Sequence, residues 1–339
     1  MGGLTITLDN NLGSEAGRFR ARLLRWFGVH QRPLPWRQTR DPYPIWISEV
    51  MLQQTRVGAV LGHYREFLRR FPDVHALAAA RLDQVLAAWS GLGYYRRARA
   101  LHQAARGIVR QHNGRLPRSS CELRALPGIG PYTAAAVASI AFGEPCALLD
   151  GNVGRVLSRV LGRRQASRTE LLSAAQALLS RRRPGAFNQA MMELGATVCL
   201  PAQPRCAACP LRAFCVTQSA QPRRRPQPRR LSEVAHALAL RRGRVYLLRR
   251  NHGESLMPGM WELPTLPTVP HICPPLADVG TVQFVLRHSI TNTEYFVHVV
   301  PVGARDPVLR GGRWLQAAAA NELPLTGLAR KILCRAGVI

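Results

Sequence analysis

The sequence predicts a mainly α-helical domain followed by a smaller α+β domain. Residues 14–217 carry apolar side chains at helical spacing, in stretches separated by Pro, Gly and Ser. Residues 218–230, QSAQPRRRPQPRR, are rich in proline and arginine and lack apolar periodicity, which predicts an extended linker. Alternating apolar stretches after the linker indicate strands. We therefore expect a helical domain over 1–217 and an α+β domain over 231–339.

Two helical segments of the first domain carry clear signals. Ser119 and Glu122 stand at capping-box spacing and predict a short helix that Pro127 and Gly128 stop. The segment VGRVLSRVLG predicts an amphipathic helix. Its apolar face consists of Val153, Val156, Leu157, Val160 and Leu161.

The second domain shows several strand signals. VAHALAL (234–240), a turn at RRG (241–243) and RVYLLRR (244–250) predict a β-hairpin. TVQFVL (281–286) and EYFVHVV (294–300) predict further strands. These signals are typical of a small α+β domain.

The net charge indicates a polyanionic partner. The 339 residues carry a formal charge of +28, and 46 of the 47 basic residues are arginines, Lys331 being the only lysine. No basic amphipathic helix with an aromatic face suggests a membrane surface, so nucleic acid is the favoured partner. No apolar run approaches the roughly 18 residues of a membrane span. The start, MGGLTITLDNNLG, lacks signal-peptide features, so we expect a cytoplasmic protein.

A glycine hairpin opens the helix at PYTAAAVASIAFG. In LPGIG, Gly128 and Gly130 allow a tight turn that exposes backbone N–H groups beside a helix N-terminus, which suits a phosphate. The alternative is an ordinary turn between packed helices. Together with the net charge, the hairpin predicts DNA contacts at Leu126, Gly128 and Gly130.

Four of the eight cysteines lie within 17 residues. Cys199, Cys206, Cys209 and Cys215 follow the spacing C-x6-C-x2-C-x5-C. Four thiolates in so short a loop fit either a tetrahedral zinc ion or a [4Fe–4S] cluster. Residue types and spacing alone leave both open.

A helix–hairpin–helix followed by an acidic residue and these cysteines resembles the endonuclease III superfamily of DNA base-excision glycosylases. PWR (35–37), WISEVMLQQTRV (46–57) and GLGYYRRARAL (91–101) are similar to its MutY adenine glycosylases. The resemblance implies a six-helix barrel over about 30–145. It also implies a [4Fe–4S] cluster domain, made from the N-terminal helix and about 146–217, and a Nudix-like C-terminal domain.

The family's reaction needs two carboxylates with different roles. Breaking a glycosidic bond requires an acid that protonates the leaving base and a negative charge that stabilises an oxocarbenium-like sugar. Glu49 shares a helix side with Ile45 and Leu52, which predicts a half-buried acid, although a surface position is the alternative. Asp150 stands at a helix start, where a simple N-cap is the alternative. By resemblance, Glu49 is the general acid and base, and Asp150, supported by Asn152, stabilises the cation.

Tyr132 separates two branches of the superfamily. Bifunctional members have a lysine at this helix position, whose amine attacks the sugar. A phenol forms no Schiff base, and no lysine precedes residue 331. The sequence therefore predicts a monofunctional glycosylase.

The resemblance also implies further contacts with a base flipped out of the duplex. Gln53 and Tyr94 are expected to probe the vacated stack. The adenine pocket is expected to comprise Trp36, Arg37, Leu52, Gln54 and Glu193.

The C-terminal segment SLMPGMWELP (255–264) resembles a turn of the Nudix-like domain but lacks the glutamate-rich box of Nudix hydrolases. In the family a Phe-Ser-His loop reads 8-oxoguanine. Here Ile290, Thr291 and Asn292 replace it, and we expect Thr291 and Asn292 to contact DNA.

The resemblance thus implies a monomeric bacterial enzyme, associated with the nucleoid, that removes adenine mispaired with 8-oxoguanine or guanine in double-stranded DNA. Two alternatives are an endonuclease III-type glycosylase/lyase and a catalytically silent DNA-binding protein. The missing lysine opposes the first, and the intact Glu49 and Asp150 oppose the second.

Overall fold

The computed structural model describes residues 12–217, 230–251, 253–254, 256–266, 283–290 and 292–339. Most of the expected linker and Thr291 therefore lie outside the described residues. The chain forms two compact units: 1–64 with 73–75 and 103–225, and 65–72 with 76–102 and 226–339. Residues 76–102 thus belong to the same compact unit as the C-terminal strands.

Helices make up the first two thirds of the chain, with short 3-10 turns at Pro35–Arg37, Cys206–Ala208 and Arg212–Phe214. The helices are α1 (Leu12–His30), α2 (Pro42–Leu52), α3 (Val57–Arg70), α4 (Val74–Ala79), α5 (Leu82–Ala88), α6 (Arg96–Gln111), α7 (Ser120–Leu123), α8 (Pro131–Ala141), α9 (Gly151–Val160), α10 (Arg168–Leu178) and α11 (Pro184–Thr197).

Strands dominate the described C-terminal residues. They are β1 (Arg230–Leu238), β2 (Leu240–Arg241), β3 (Arg244–Arg249), β4 (Trp261–Glu262), β5 (Thr265–Leu266), β6 (Phe284–Ile290), β7 (Thr293–Pro301) and β8 (Arg313–Gln316). A 3-10 turn, Ala317–Glu322, and helix α12 (Gly327–Arg335) follow.

The core of the first unit lies between α1 and α8 to α11. Phe19 of α1 is fully buried and meets the ring of Phe214 edge-on, with 5.5 Å between the ring centroids. The apolar face predicted for α9 is confirmed, since all of its members are buried except Leu161, which is partly buried. This core fixes α8, α9 and α11 with respect to one another, and all three carry side chains of the site described below.

The helix–hairpin–helix is present as predicted. Ser119 caps α7, and its capping box with Glu122 is complete. The chain then turns through Gly128, which has a φ of 74°, and Gly130 is the N-cap of α8. A side chain on Gly128 would be strained by this φ, whereas a Cβ on Gly130 would meet open space. The backbone of Gly130 is therefore accessible.

The second unit contains two sheets. In the first, β5-β1-β7-β6, strand β1 runs parallel to β7 and antiparallel to β5, and β6 runs antiparallel to β7. In the second, β2-β3-β4, strand β8 also pairs with β3. The buried residues Ile332 and Leu333 of α12 share a core with Val297 and Val299 of β7.

The hairpin predicted from VAHALAL to RVYLLRR is wrong in most of its length. Residues 234–238 belong to β1 and pair with β7, and only Leu240 and Arg241 pair with β3. Ala239 interrupts the strand, so the chain leaves one sheet and enters the other. The turn itself is present, because Arg242 and Gly243 both have positive φ values, 46° and 70°, as a tight hairpin requires.

Two other strand predictions can be compared with the structure. EYFVHVV lies within β7, as predicted. The strand expected at TVQFVL begins only at Phe284, and Thr281 and Val282 lie outside the described residues. None of the helices in the described ranges combines the length and the apolarity that a membrane crossing requires.

Gly185 sets the separation of α8 and α11. A Cβ at Gly185 would lie 2.5 Å from the carbonyl oxygen of Ser139 and 2.6 Å from the Cα of Ile140. Both are backbone atoms of α8, which cannot rotate away as the end of a side chain can. The two helices therefore approach as closely as they do only because position 185 is glycine.

Gly185→Ala is expected to lower the free energy of unfolding by about 1–3 kcal/mol, because α11 must move away from α8. The control is Gly17→Ala in α1, where a Cβ would meet no atom within 4 Å. That change is expected to stabilise the protein by about 0.5–1 kcal/mol, as alanine does in a helix interior. Urea unfolding of both variants checks this, and equal stabilities would contradict the packing described for Gly185.

Candidate active site

One cavity of about 190 Å³ in the first unit collects most of the expected catalytic and adenine-pocket residues. Its walls come from the 3-10 turn at Pro35–Arg37, from α2, from α8, from the start of α9 and from α11. The expected residues that line it are Trp36, Arg37, Glu49, Leu52, Tyr132, Asp150, Asn152 and Glu193.

Glu49 is more deeply buried than the sequence predicts. Glu49 is only 4% exposed, although its side chain lines the cavity from α2. Burial raises the pKa of Glu49 to about 7, with a further contribution from the charge of Asp150, while the hydrogen bond from Tyr132 and the charge of Arg37 oppose the shift. A carboxyl group with this pKa can hold or release a proton near neutral pH.

Tyr132, near the start of α8, points its hydroxyl at this carboxyl group. The hydroxyl donates a hydrogen bond to Glu49 Oε2 at 2.8 Å and lies 3.2 Å from the sulfur atom of Met192. Burial, followed by the charges of Glu49 and Asp150, raises the pKa of Tyr132 well above its usual value. The phenol therefore stays neutral and acts as a hydrogen-bond donor.

Asp150 is the N-cap of α9, and it also faces the cavity. Its Oδ1 accepts a hydrogen bond from the backbone N–H of Val153 at 2.6 Å, and its Oδ2 accepts one from the amide of Asn152 at 3.1 Å. These donors and the helix N-terminus stabilise a negative charge. The N-cap that was the alternative in the sequence is therefore present, and the same residue lines the cavity.

Arg155 and Gly195 hold Asn152 in place. Arg155 Nη2 donates to Asn152 Oδ1 at 2.8 Å and to the carbonyl oxygen of Gly195 at 2.7 Å. A Cβ on Gly195 would lie 2.6 Å from the Cβ of Asn152, so α11 touches the start of α9 directly. Since the amide oxygen of Asn152 is engaged by Arg155, its Nδ2 is directed to Asp150.

Glu193 of α11 is fully buried and is held by two arginines. Arg32 donates from Nε and Nη2, both at 2.7 Å, and from its backbone N–H at 3.1 Å. Arg37 donates from Nη2 at 2.8 Å. Burial disfavours the charge, but these hydrogen bonds outweigh it and lower the pKa of Glu193 to about 2. Glu193 is thus an anion with a fixed orientation.

Several expected contact residues lie elsewhere. Gln54 is exposed with a φ of 56° and is not among the residues that line the cavity. Gln53 donates to the hydroxyl of Thr133 at 3.0 Å. Leu126 is buried, and its backbone N–H and carbonyl oxygen already bond to Leu123 and Ile129. Tyr94 belongs to the second unit and is 51% exposed.

Two C-terminal residues were expected to contact DNA, Thr291 and Asn292. Asn292 is among the described residues, and Thr291 lies outside them. The carbonyl oxygen of Asn292 accepts a hydrogen bond from the backbone N–H of Arg230 at 3.0 Å, at the start of the β1–β7 pairing. Asn292 is exposed, and its side chain is open to solvent.

Sequence reasoning missed Arg32, Arg155, Met192 and Gly195. Arg155 stands three residues after Asn152 on one helix, so its spacing could have revealed the pair. Arg32, Met192 and Gly195 meet their partners only through the tertiary fold, because Glu193, Tyr132 and Asn152 are far from them in the sequence or lie on other helices. No local pattern marks such residues.

The four clustered cysteines line a second, small pocket together with Arg159. Arg159 is 2% exposed, and its Nη1 donates to Cys199 Sγ at 3.2 Å. Its Nε has no hydrogen-bond partner among the described residues. A buried guanidinium beside four thiols suits an anionic thiolate group, because such a group balances the buried charge.

Four cysteine thiols are the ligands of both candidate groups. Within the described ranges no three His, Cys, Asp or Glu side chains form a preformed site for a single ion. Because a tetrahedral zinc ion and a [4Fe–4S] cluster both take four thiolates, the donor set fits either group.

Comparison with known proteins identifies similar DNA glycosylases. The chain is similar to the adenine DNA glycosylase of Homo sapiens, with 45% identity over 216 residues, 60% of this chain and 40% of that protein. It spans less than two thirds of the length of the curated relatives that it matches.

Two solved structures share the fold. A thermostable thymine-DNA glycosylase has a TM-score of 0.58 and 29% identity, covering 62% of this chain and 99% of that one. A trapped covalent intermediate of endonuclease III with DNA has a TM-score of 0.53 and 25% identity, covering 60% of this chain and 96% of the other.

These likenesses confirm the resemblance stated from the sequence and its helical glycosylase fold. Residues 47–181 match the family model for HhH-GPD superfamily base excision DNA repair proteins. This match places an HhH-GPD domain within the first part of the chain.

Proposed function

We propose that this protein is a monofunctional adenine DNA glycosylase of base excision repair. The observation that carries the proposal is the pair of carboxyl groups in one cavity. Glu49 is buried with a pKa of about 7, and Asp150 accepts hydrogen bonds that stabilise its charge. Similarity to adenine DNA glycosylases over 60% of the chain supports the choice of base.

Glu49 is the proton donor in this proposal. With its proton, Glu49 protonates N7 of an adenine that has left the duplex, and the bond between C1′ and N9 breaks with its electrons passing to the base. Asp150 stabilises the positive charge on the sugar. The Glu49 carboxylate then takes a proton from the water that attacks C1′, which restores the acid for the next turnover.

Glu193 and its two arginines orient the base. A purine presents both donors and acceptors at its edges, and the cavity offers the Glu193 carboxylate and the guanidinium groups of Arg32 and Arg37. Trp36 packs edge-on against Tyr64, with 5.2 Å between the ring centroids, and supplies a rigid apolar wall. These groups favour one orientation of a planar base.

DNA contacts are assigned to the hairpin and to exposed residues of both units. The N–H groups around Gly128 and Gly130, at the start of α8, suit a phosphate. The net charge of +28 supports binding to the duplex backbone. Gln53 and Tyr94 probe the vacated stack, and the C-terminal residues around Asn292 read 8-oxoguanine or guanine opposite the adenine.

A [4Fe–4S] cluster bound by Cys199, Cys206, Cys209 and Cys215 is part of the proposal. When bound, it cross-links the loop that holds these residues and contributes to the stability of the fold. Arg159 donates to Cys199 Sγ and to the carbonyl oxygens of Leu200 and Pro201, so it orders the same loop. A monomer in the bacterial cytoplasm, acting at the nucleoid, is the setting we propose.

Glu49→Gln removes the proton donor but keeps the shape of the side chain. Excision of adenine from an adenine:8-oxoguanine duplex is expected to fall about 10²- to 10⁴-fold, while affinity for the duplex is retained. Single-turnover product formation and a mobility-shift titration measure the two effects. The matched control is Glu66→Gln, an exposed acid that binds Arg69 and Arg70 on the same helix. A variant at position 49 that excises at the parental rate would refute the assignment.

The excision rate is expected to decline as the pH rises through about 7. Burial raises the pKa of Glu49 in the folded protein to about 7, so the acid form is present below this pH and is lost above it. Each further pH unit should lower the rate by roughly tenfold, because the protonated fraction falls by that factor. Single-turnover rates between pH 5.5 and 9 test this, and a rate that climbs across this range would exclude Glu49 as the acid.

Tyr132→Lys is expected to convert some of the protein into a form that attacks the sugar covalently. Burial favours the neutral amine, although Glu49, 2.8 Å from the present hydroxyl group, opposes this, so partial reaction is expected. Borohydride should trap a protein–DNA adduct with Tyr132→Lys and far less with the parent or with Tyr132→Phe. Equal trapping in all three would mean that position 132 does not face the sugar.

A further inference from the structure

The exposed Tyr94 lies on a loop, residues 91–94, in which three of the four residues have positive φ values. Gly91, Gly93 and Tyr94 have φ values of 103°, 70° and 49°. Glycine adopts such angles readily, but a tyrosine does so only when its surroundings hold it there. The side chain of Tyr94 is 51% exposed in this conformation. Contacts made by the residues around the loop must therefore maintain its shape.

One set of contacts is made by Arg97 of α6 and by Trp89, which precedes the loop by two residues. Arg97 places its guanidinium 5.4 Å from the ring centroids of both Trp89 and Tyr94. Arg97 Nη2 and Trp89 Nε1 both donate to the carbonyl oxygen of Gly93, at 3.1 and 3.2 Å. The ring of Tyr94 thus makes a cation–π contact with Arg97, whose guanidinium is hydrogen-bonded to the loop.

A second set comes from the C-terminal part of the chain. The residues that flank the loop, Ser90 and Tyr95, are buried and donate their hydroxyl groups to the same acceptor. This acceptor is the carbonyl oxygen of Leu325, at 2.9 Å from Ser90 Oγ and 3.3 Å from the hydroxyl of Tyr95. The same hydroxyl of Tyr95 accepts from the N–H of Gly91 at 3.4 Å. Both ends of the loop are thereby tied to one atom.

Leu325 is a firm anchor. It forms a bridge with Trp261 of β4, and the N–H of the next residue, Thr326, donates to the carbonyl oxygen of Trp261 at 2.9 Å. Thr326 also caps α12. From that helix, Arg330 Nε donates to Ser90 Oγ at 2.8 Å. The Leu325 carbonyl is therefore held by β4 and α12, which belong to the part of the chain after residue 230, here called the C-terminal lobe.

We propose that Ser90, Tyr95 and Arg330 are positioning residues that let the C-terminal lobe set the conformation of the Tyr94 loop. They do not touch DNA. They act through the Leu325 carbonyl and keep the ring of Tyr94 exposed, so that it can enter the base stack of the duplex. The inference rests on the proposed function, because it takes Tyr94 as the residue that probes the base stack.

Tyr95→Phe is the sharpest test, because it removes the hydroxyl group and leaves the buried ring. In the full-length protein we expect excision from an adenine:8-oxoguanine duplex to fall about tenfold, as the loss of one buried hydrogen bond at a precise position can cause. In a Tyr94→Ala background, the same change is expected to alter the rate less than twofold, because the loop no longer presents an aromatic ring. A merely structural role for Tyr95 would lower the rate equally in both backgrounds.

Tyr246→Phe is the matched control. The hydroxyl of Tyr246, also in the second unit, accepts a hydrogen bond from the backbone N–H of Gly312 at 2.8 Å and not from the loop. Tyr246→Phe should lower the melting temperature about as much as Tyr95→Phe does and leave the excision rate unchanged. Ser90→Ala and Arg330→Met are expected to repeat the non-additive pattern of Tyr95→Phe with Tyr94→Ala. Additive losses, or an unchanged rate for Tyr95→Phe, would overturn the proposal.

Hydrogen–deuterium exchange separates this proposal from the proposed function. Tyr95→Phe should speed exchange of the amides of residues 91–95 at least threefold, whether or not the protein excises adenine, and Tyr246→Phe should not. A parent protein that shows no excision, but in which Tyr95→Phe speeds exchange, would refute the adenine glycosylase and leave the anchored loop in place. Unchanged exchange in Tyr95→Phe would refute the anchor.

Discussion

The hydrogen bond between Tyr132 and Glu49 depends on the packing of the whole first unit. It joins α2 to α8, and it forms only because α8 is held by the core and by the close approach of α11. Burial of the Glu49 carboxyl raises its pKa, and the neutral phenol satisfies one of its oxygens. A buried acid without such a donor would cost more free energy to keep in the fold. The tyrosine thus lowers the cost of burying the carboxyl group, while burial still keeps its pKa at about 7.

The two carboxyl groups of the cavity show how local surroundings set different roles for similar side chains. Glu49 lies in an apolar helix and receives one hydrogen bond from a side chain. Asp150 lies at the start of α9 and receives hydrogen bonds from a backbone N–H and an amide. Burial raises the pKa of the first carboxyl group, whereas hydrogen-bond donors at a helix start surround the second. Glu193 is a third case, since two arginines fix it as an anion in the wall of the cavity.

Sequence reasoning succeeds where the determining contacts are local. The capping box at Ser119 and the N-cap at Asp150 depend on residues within three positions, and both are present. It fails where distant segments decide, as when β1 pairs with β7 rather than with β3. The burial of Glu49 and the hydrogen bonds from Arg32 to Glu193 also depend on segments that are distant in the sequence. No periodicity records how two helices approach, so these features emerge only from the folded chain.

The two glycine contacts of α11 have a consequence for what this cavity can be made to accept. At Gly185 and Gly195 the helix meets its neighbours through main-chain atoms, so its distance from α8 and α9 is fixed by covalent geometry and van der Waals radii. One wall of the cavity therefore cannot be reshaped by exchanging side chains at the helix contacts. To admit a bulkier base, an engineer has to change side chains that line the space, such as the flexible thioether of Met192, and not the position of α11. The position of the helix is fixed, whereas the side chains that line the cavity are adjustable.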